Sequence, residues 1–196
     1  MREGKIIPQY FYNREPEKVA VDLLGKLLIH KTRKGIISGI IVETESYGGN
    51  DDPASHAYKK ITERNKPMFG EPGYTYIYLC YGMYYLINIV VEEKNKPAAV
   101  LIRALQPYQG IELMKKNRKT NIEKNLTNGP GKLTQALNIT INDNYTPVFK
   151  KDNNLIIKDI NFPVKKVIRK KRIGIKVGKD KLLRFYIKNN NFVSVL

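Results

Sequence analysis

The sequence predicts one strand-rich domain with short helices, and three observations carry that expectation. The chain has 196 residues, 42% of them hydrophobic, which is enough for one compact core and too little for two independent ones. Residues 1–196 are therefore read as a single domain. β-Branched or alternating runs recur along the chain, separated by Gly, Pro and Asn turns. Helix signals are short, with prolines opening them at Pro16 and Pro130.

Pro16 to Leu24 is the first predicted helix: Pro stands in the first turn, Val19, Leu23 and Leu24 share a side, and Gly25 ends it. Lys26 to Thr32 and Ile36 to Ser46 are predicted strands joined by a Lys34-Gly35 turn. Asn50 to Pro53 reads as an acidic turn, and Ala54 to Phe69 as a polar loop with a short helical piece. Residues 74–91 carry no charge, and 18 residues is close to the length of a membrane helix. Six tyrosines, a central Gly82 and β-branched flanks make the segment a hairpin instead, turning tightly at Tyr81-Gly82-Met83. Val100 to Arg103 is a further strand, and Tyr108 to Asn117 a helix. Pro130 to Leu137 is a helix opened by Asn128-Gly129, and the basic C-terminal third reads as short strands and turns.

The net charge of +17 is uneven. Residues 1–98 hold 14 Lys and Arg against 12 Asp and Glu, whereas residues 99–196 hold 21 against 6. The second half is therefore the candidate surface for a polyanion, either nucleic acid or an anionic membrane, with affinity that falls as salt rises. One cysteine, Cys80, excludes a disulfide framework and a thiolate metal site, and it is expected to be a small core residue in a reducing, cytoplasmic setting. Met1 to Pro8 lacks the apolar run of a signal peptide, so no export is expected.

Alternation along an extended segment puts Ile41, Glu43, Glu45 and Tyr47 on one face, with the two acids roughly 7 Å apart at the backbone. Two carboxylates at that distance suit hydrolysis at an anomeric carbon, and a nucleoside carbon is anomeric. The plainer alternative pairs either Glu with a Lys of a neighbouring strand. His30, inside an apolar run, reads as a core or edge histidine, while His56, in a polar loop, is the better site candidate. Neither imidazole has a ligand-spaced partner, so no metal is expected. The paired cysteines of a deaminase and the Gly-x-Ser-x-Gly of a nucleophile elbow are both missing. Tyr81 stands at the hairpin tip before a glycine, where a ring finds no core and can act as a wedge between bases. Tyr76, Tyr84 and Tyr85 are assigned to packing across the strands.

Several motifs occur together in order: Val42-Glu43-Thr44-Glu45-Ser46-Tyr47 with His56 nine residues on; Thr62-x-Arg64-Asn65-x-x-Met68-Phe69; Tyr76-Ile77-Tyr78-x-x-Tyr81-Gly82-Met83; Asn88; and Leu101-Ile102-Arg103-Ala104-Leu105. Asn128-Gly129-Pro130-Gly131-Lys132-Leu133, Arg172-Ile173-Gly174-Ile175 and Arg184-Phe185-Tyr186 follow. Over nearly its whole length the chain resembles the alkyladenine (3-methyladenine) DNA glycosylase family. The resemblance implies a compact domain of mixed α/β (α+β) class around a curved antiparallel β-sheet with flanking helices and a protruding hairpin. It implies a monofunctional base-excision enzyme that flips a damaged purine out of duplex DNA and hydrolyses its N-glycosidic bond, without metal or cofactor. Glu45 is then the general base, Arg103 holds Glu45 and the water, Tyr47, His56 and Tyr78 enclose the base, and Asn88 discriminates against the guanine amino group. Tyr81, with Met83 beside it, fills the gap in the duplex. Leu182-Leu183 departs from the family's Pro-Trp at that place.

The expected partner is double-stranded DNA carrying damaged purines, bound by a monomer, with no membrane involved. Two other readings are weighed against this one. A basic nucleic-acid-binding module would leave Glu45 structural and bind without turnover. Asn128-Gly129-Pro130-Gly131-Lys132 taken as the hairpin of a helix-hairpin-helix element would bind phosphate through glycine amides, and Lys132 is read instead as a packing or backbone contact.

Overall fold

The computed structural model describes residues 4–195. Its elements run β1 (Lys5–Ile6), α1 (Pro16–Asp22), β2 (Leu27–Thr32), β3 (Gly35–Tyr47), β4 (Thr75–Cys80), β5 (Tyr84–Val91), β6 (Ala98–Gln109), α2 (Ile111–Arg118), α3 (Pro130–Leu137), β7 (Leu155–Asp159), β8 (Val167–Lys170) and β9 (Arg184–Ile187). Every strand pairing is antiparallel, in the order β1-β7-β2-β3-β6-β5-β4, with β8 and β9 joined on through β3. This is the mixed α/β class with a large antiparallel sheet that the family resemblance implies.

β3 organises the sheet. Along one side it pairs with β6 from Ser38 to Tyr47; along the other it pairs first with β2 up to Ile40, then with β9 at Glu43, Thr44 and Glu45. The register to β6 shifts at Ser38/Gly39 and again between Ile41 and Thr44. Such bulges bend a strand and sharpen its twist, and here the bend comes where β3 exchanges one neighbour for the other. At Gly39 the two backbones are close: a Cβ there would lie 2.8 Å from Leu105 Cβ.

The core lies between the sheet and its helices. Val19, Ala20, Leu23 and Leu24 of the α1 region pack with Ile41, Val42, Ile102 and Ala104, and the Thr44 hydroxyl donates to the Ala20 carbonyl across 2.8 Å. Leu133, Ala136 and Leu137 of α3 are buried in the same core, and the Thr134 hydroxyl donates to Tyr85 O at 2.6 Å. Among the described residues no helix is long and apolar enough to cross a membrane.

Two expectations need correction. β6 extends well beyond Val100 to Arg103, taking in Tyr108 and Gln109, so the helix expected from Tyr108 begins only at Ile111. Pro107 has no N–H to give a ladder, and it pairs with Gly39 at the bulge, where such a donor is dispensable. Cys80 is not a core residue: it is partly exposed at the end of β4, where the strand leaves the core for the hairpin tip. His30 is buried as expected, its Nδ1 donating to Leu137 O at 2.8 Å and its Nε2 lying 3.4 Å from Asp143.

Candidate active site

The bulged stretch of β3 delivers both acids to one guanidinium. Arg103 of β6 reaches Glu43 through Nε (3.3 Å) and Glu45 through a terminal nitrogen (3.3 Å), and both carboxylates are fully buried. Neither acid pairs with a lysine. Glu43 also accepts from Arg184 (2.9 Å), from the Ser194 N–H (2.7 Å) and from the Ser194 hydroxyl (3.0 Å). Glu45 accepts from the Tyr47 hydroxyl at 2.8 Å and from the Ile173 N–H at 2.8 Å. Burial pushes the Glu45 carboxyl above the usual carboxylate range, and Arg103, the Ile173 amide and the Tyr47 hydroxyl oppose that rise without cancelling it.

Beside Glu45 opens a cavity of about 750 Å³, lined by Tyr47, Arg103 and Ile173, which are the three partners of the carboxylate, and by His56, Tyr76, Tyr78 and Asn88. His56 shares a 2.8 Å hydrogen bond with the Tyr76 hydroxyl and stands edge-on to Tyr78, 4.7 Å between centroids. Burial, helped by the charge of Arg64, pushes His56 down to about 4, so its imidazole is neutral at physiological pH. Arg64 lies 4.8 Å from the Tyr78 ring centre at the cavity edge. Asn88 is 4% exposed, and its amide donates to Tyr76 O at 3.0 Å. A second guanidinium, Arg172, covers the Tyr47 ring at 4.6 Å.

The hairpin tip stands over the cavity mouth. Tyr81 is 84% exposed at φ 51° and borders the cavity, while Met83, 68% exposed, faces a smaller groove against α3. Pro130 and Gly131, at the start of α3, complete the rim, and a Cβ on Gly131 would lie 2.8 Å from the Tyr84 side chain. Lys132 turns back to Asn128 (2.9 Å), a contact within its own turn.

The family model of methylpurine-DNA glycosylases matches residues 10–191. The chain belongs to the methylpurine-DNA glycosylase family. As a member it is a DNA glycosylase, a hydrolase of N-glycosidic bonds. A protein of Prosthecochloris aestuarii named "Putative 3-methyladenine DNA glycosylase" is 47% identical over 97% of this chain and 91% of its own length. Proteins of the same name from Carboxydothermus hydrogenoformans and Clostridium perfringens are each 42% identical, over 96% and 94% of this chain and 98% and 96% of their own lengths.

In this glycosylase the fold brings Tyr47, His56, Tyr78, Asn88 and Arg103 to one cavity, with Glu45 directly behind its lining and Tyr81 at its mouth; Met83 alone lies off it. Sequence reasoning assigned Tyr76 and Tyr84 to cross-strand packing, yet both line the cavity, and Tyr84 is 44% exposed. The signal for Tyr76 was its two-residue spacing from Tyr78, which puts the rings on one face of β4. Arg172 and Ile173 stand in a quoted motif that carries no assigned role, and Asp52 lies in the acidic turn with no site signal of its own. Among the described residues no three His, Cys, Asp or Glu side chains are grouped so as to hold a metal ion.

Proposed function

We propose that the chain excises alkylated or deaminated purines from duplex DNA, leaving an abasic site. The substrate class is 3-methyladenine, 7-methylguanine, hypoxanthine and ethenoadenine. The observation that carries this reading is a fully buried Glu45, paired with Arg103, directly behind an aromatic-walled cavity of about 750 Å³. Tyr81 enters the duplex and fills the place of the flipped nucleotide, with Met83 beside it; a ring stacked on a base contributes roughly 1 to 3 kcal/mol, enough to offset unstacking. The flipped purine lies between Tyr47 on one side and His56 with Tyr78 on the other, and Asn88 tests the edge that carries the guanine amino group.

The Glu45 carboxylate takes a proton from water as the oxygen bonds to the sugar carbon, and the bond from that carbon to the purine nitrogen breaks with its electron pair going to the base. The carboxylate charge stabilises the cationic sugar in the transition state, and Arg103 holds the carboxylate in place. Cationic methylated purines leave as neutral bases and need no acid, and aromatic faces attract them while they are charged; hypoxanthine and ethenoadenine leave with the electron pair as anions and take a proton from solvent. The names of the 42 to 47% identical relatives support the same reading.

The test is single-turnover release of base from duplexes carrying one hypoxanthine or one ethenoadenine, with chelator present. The parent is compared with Glu45→Gln. Release by the parent that collapses in the variant, while duplex binding survives, is expected. Tight binding with no release from these duplexes or from an alkylated-purine duplex would refute the catalytic reading.

A further inference from the structure

Arg172 is the most enclosed cation of the site. Its side chain is 0% exposed, yet it does not line the cavity. Its terminal nitrogens donate to the two Asp52 oxygens at 2.5 and 2.7 Å, and one of them also donates to the Ser46 carbonyl at 3.0 Å. The same guanidinium lies over the Tyr47 ring, 4.6 Å from its centre. The next residue is Ile173, whose N–H holds Glu45. Asp52, 2% exposed, accepts from the Gly48 and Ala54 N–H groups, both at 3.2 Å, while the Ser55 N–H donates to its carbonyl at 2.8 Å. Those bonds shape the loop that ends at His56.

We propose that Arg172 and Asp52 form a positioning pair that sets, through one buried bidentate contact, the Tyr47 wall, the His56 wall and the amide that holds Glu45. The inference rests on the glycosylase reading above and names residues that serve it without touching substrate. A buried ion pair is weak evidence for stability, because desolvation offsets the attraction; what it supplies here is geometry. A planar guanidinium gripping both carboxylate oxygens is fixed in direction as well as distance, and it presents a flat face for stacking, neither of which an ammonium reproduces. Burial alone would raise the Asp52 carboxyl, but the Arg172 bonds and charge hold it below the usual range, so the pair stays ionised at neutral pH.

The consequence is coupled movement. Without the fork, the outer face of Tyr47 loses its support and the Ile173 N–H is free to drift from Glu45. One wall of the base site loosens, and the carboxylate loses one of the groups opposing its raised proton affinity.

The experiment uses the full chain as parent, Arg172→Lys and Asp52→Asn, with duplexes carrying one ethenoadenine or one hypoxanthine. Ethenoadenine fluorescence on binding reports how the flipped base stacks, and single-turnover release is followed over about pH 5 to 9. In Arg172→Lys, release at neutral pH should fall on the order of 100-fold, as expected for ångström-scale misplacement. Its acid limb should move to higher pH, raising the pH should recover part of the loss, and the fluorescence change on binding should differ from the parent's. Asp52→Asn, nearly isosteric, should shift both readouts the same way and carries the test if Arg172→Lys does not fold. A loss that is uniform across pH with an unshifted acid limb and an unaltered fluorescence change would overturn the proposal, as would no loss at all. A parent that releases neither base overturns the glycosylase reading itself, and the positioning role with it.

Discussion

Replacing Tyr81 by Ser isolates the wedge from the fold. The ring is 84% exposed and Gly82 beside it has open space around it, so the tip rests on nothing. Serine inherits the same left-handed backbone at φ 51°, and exposed substitutions without a packing role stay within about 0.5 kcal/mol, so thermal stability should hardly change. What is lost is the stack on a base, worth roughly 1 to 3 kcal/mol. At about 1.4 kcal/mol per factor of ten, the flipped complex should weaken by about 5- to 150-fold. Single-turnover release at subsaturating enzyme measures this directly, and the ethenoadenine fluorescence change on binding should shrink with it. Met83→Ala should follow with a smaller loss, since its thioether offers less area to a base and lies off the cavity. Parent-like rates in Tyr81→Ser would remove the wedge role.

Three further outcomes follow from particular contacts. Asn88→Ser, by opening the edge beside Tyr76, should relax the rejection of guanine by about 1 to 3 kcal/mol; an unchanged preference among purines in competition excision would dismiss that role. Glu43→Gln leaves Arg103 and Arg184 short of a buried charge, a loss of about 3 to 5 kcal/mol, which at roughly 2 to 4 °C per kcal/mol lowers Tm by some 6 to 20 °C; a parent-like melting curve would contradict it. His30 gains stability from protonation: burial alone would lower its pKa, but Asp143 and the Leu137 carbonyl raise it above 6.5. That contribution is complete below the unfolded value and lost as pH rises through the raised folded one. Asp143, held below 3.8 by His30 against its own burial, contributes above that value and loses it on acidification. The Tm gap between parent and His30→Gln should therefore be widest between about pH 4 and 6.5 and narrow as pH rises through the raised His30 value; a gap independent of pH would refute the pairing.

Local pattern made the hairpin and α3 legible. An uncharged tyrosine-rich run around Gly82 has no other good solution, and Gly129-Pro130 marks a helix start that the structure keeps at Pro130. The length of β6 is not legible locally, because Pro107 is accommodated by the bulge at Gly39, which is a property of another strand. The same division runs through the site. Glu45, Tyr47, His56, Tyr78, Asn88 and Arg103 belong to short motifs, whereas Arg172 meets Asp52 across 120 residues of sequence and Ser194 meets Glu43 across 151. Contacts of that separation are decided by how the sheet forks at β3, which no window of sequence contains.

Glu43 and Glu45 are equivalent in the sequence, two residues apart on one face, and only their donors distinguish them. A carboxylate offers about four lone-pair sites. Glu43 receives four donors, three of them on Oε1: Arg103, Arg184 and the Ser194 hydroxyl, with the Ser194 N–H on Oε2. Among the described residues Glu45 receives three: Tyr47 and Arg103 on Oε2, and only the Ile173 N–H on Oε1. One lone pair of Glu45 Oε1 is thus uncommitted, next to the residues that line the cavity, on a carboxyl whose proton affinity burial has already raised. Glu43 Oε2 also takes a single donor, but of the groups that hold Glu43 only Arg103 lines the cavity, whereas all three that hold Glu45 do, so a water in the cavity meets Glu45 and not Glu43. Glu43 is therefore no substitute base: Glu45→Gln, which retains it, should show no residual release with a carboxylate-like acid limb, and a surviving limb of that kind would mean that the two acids share the work.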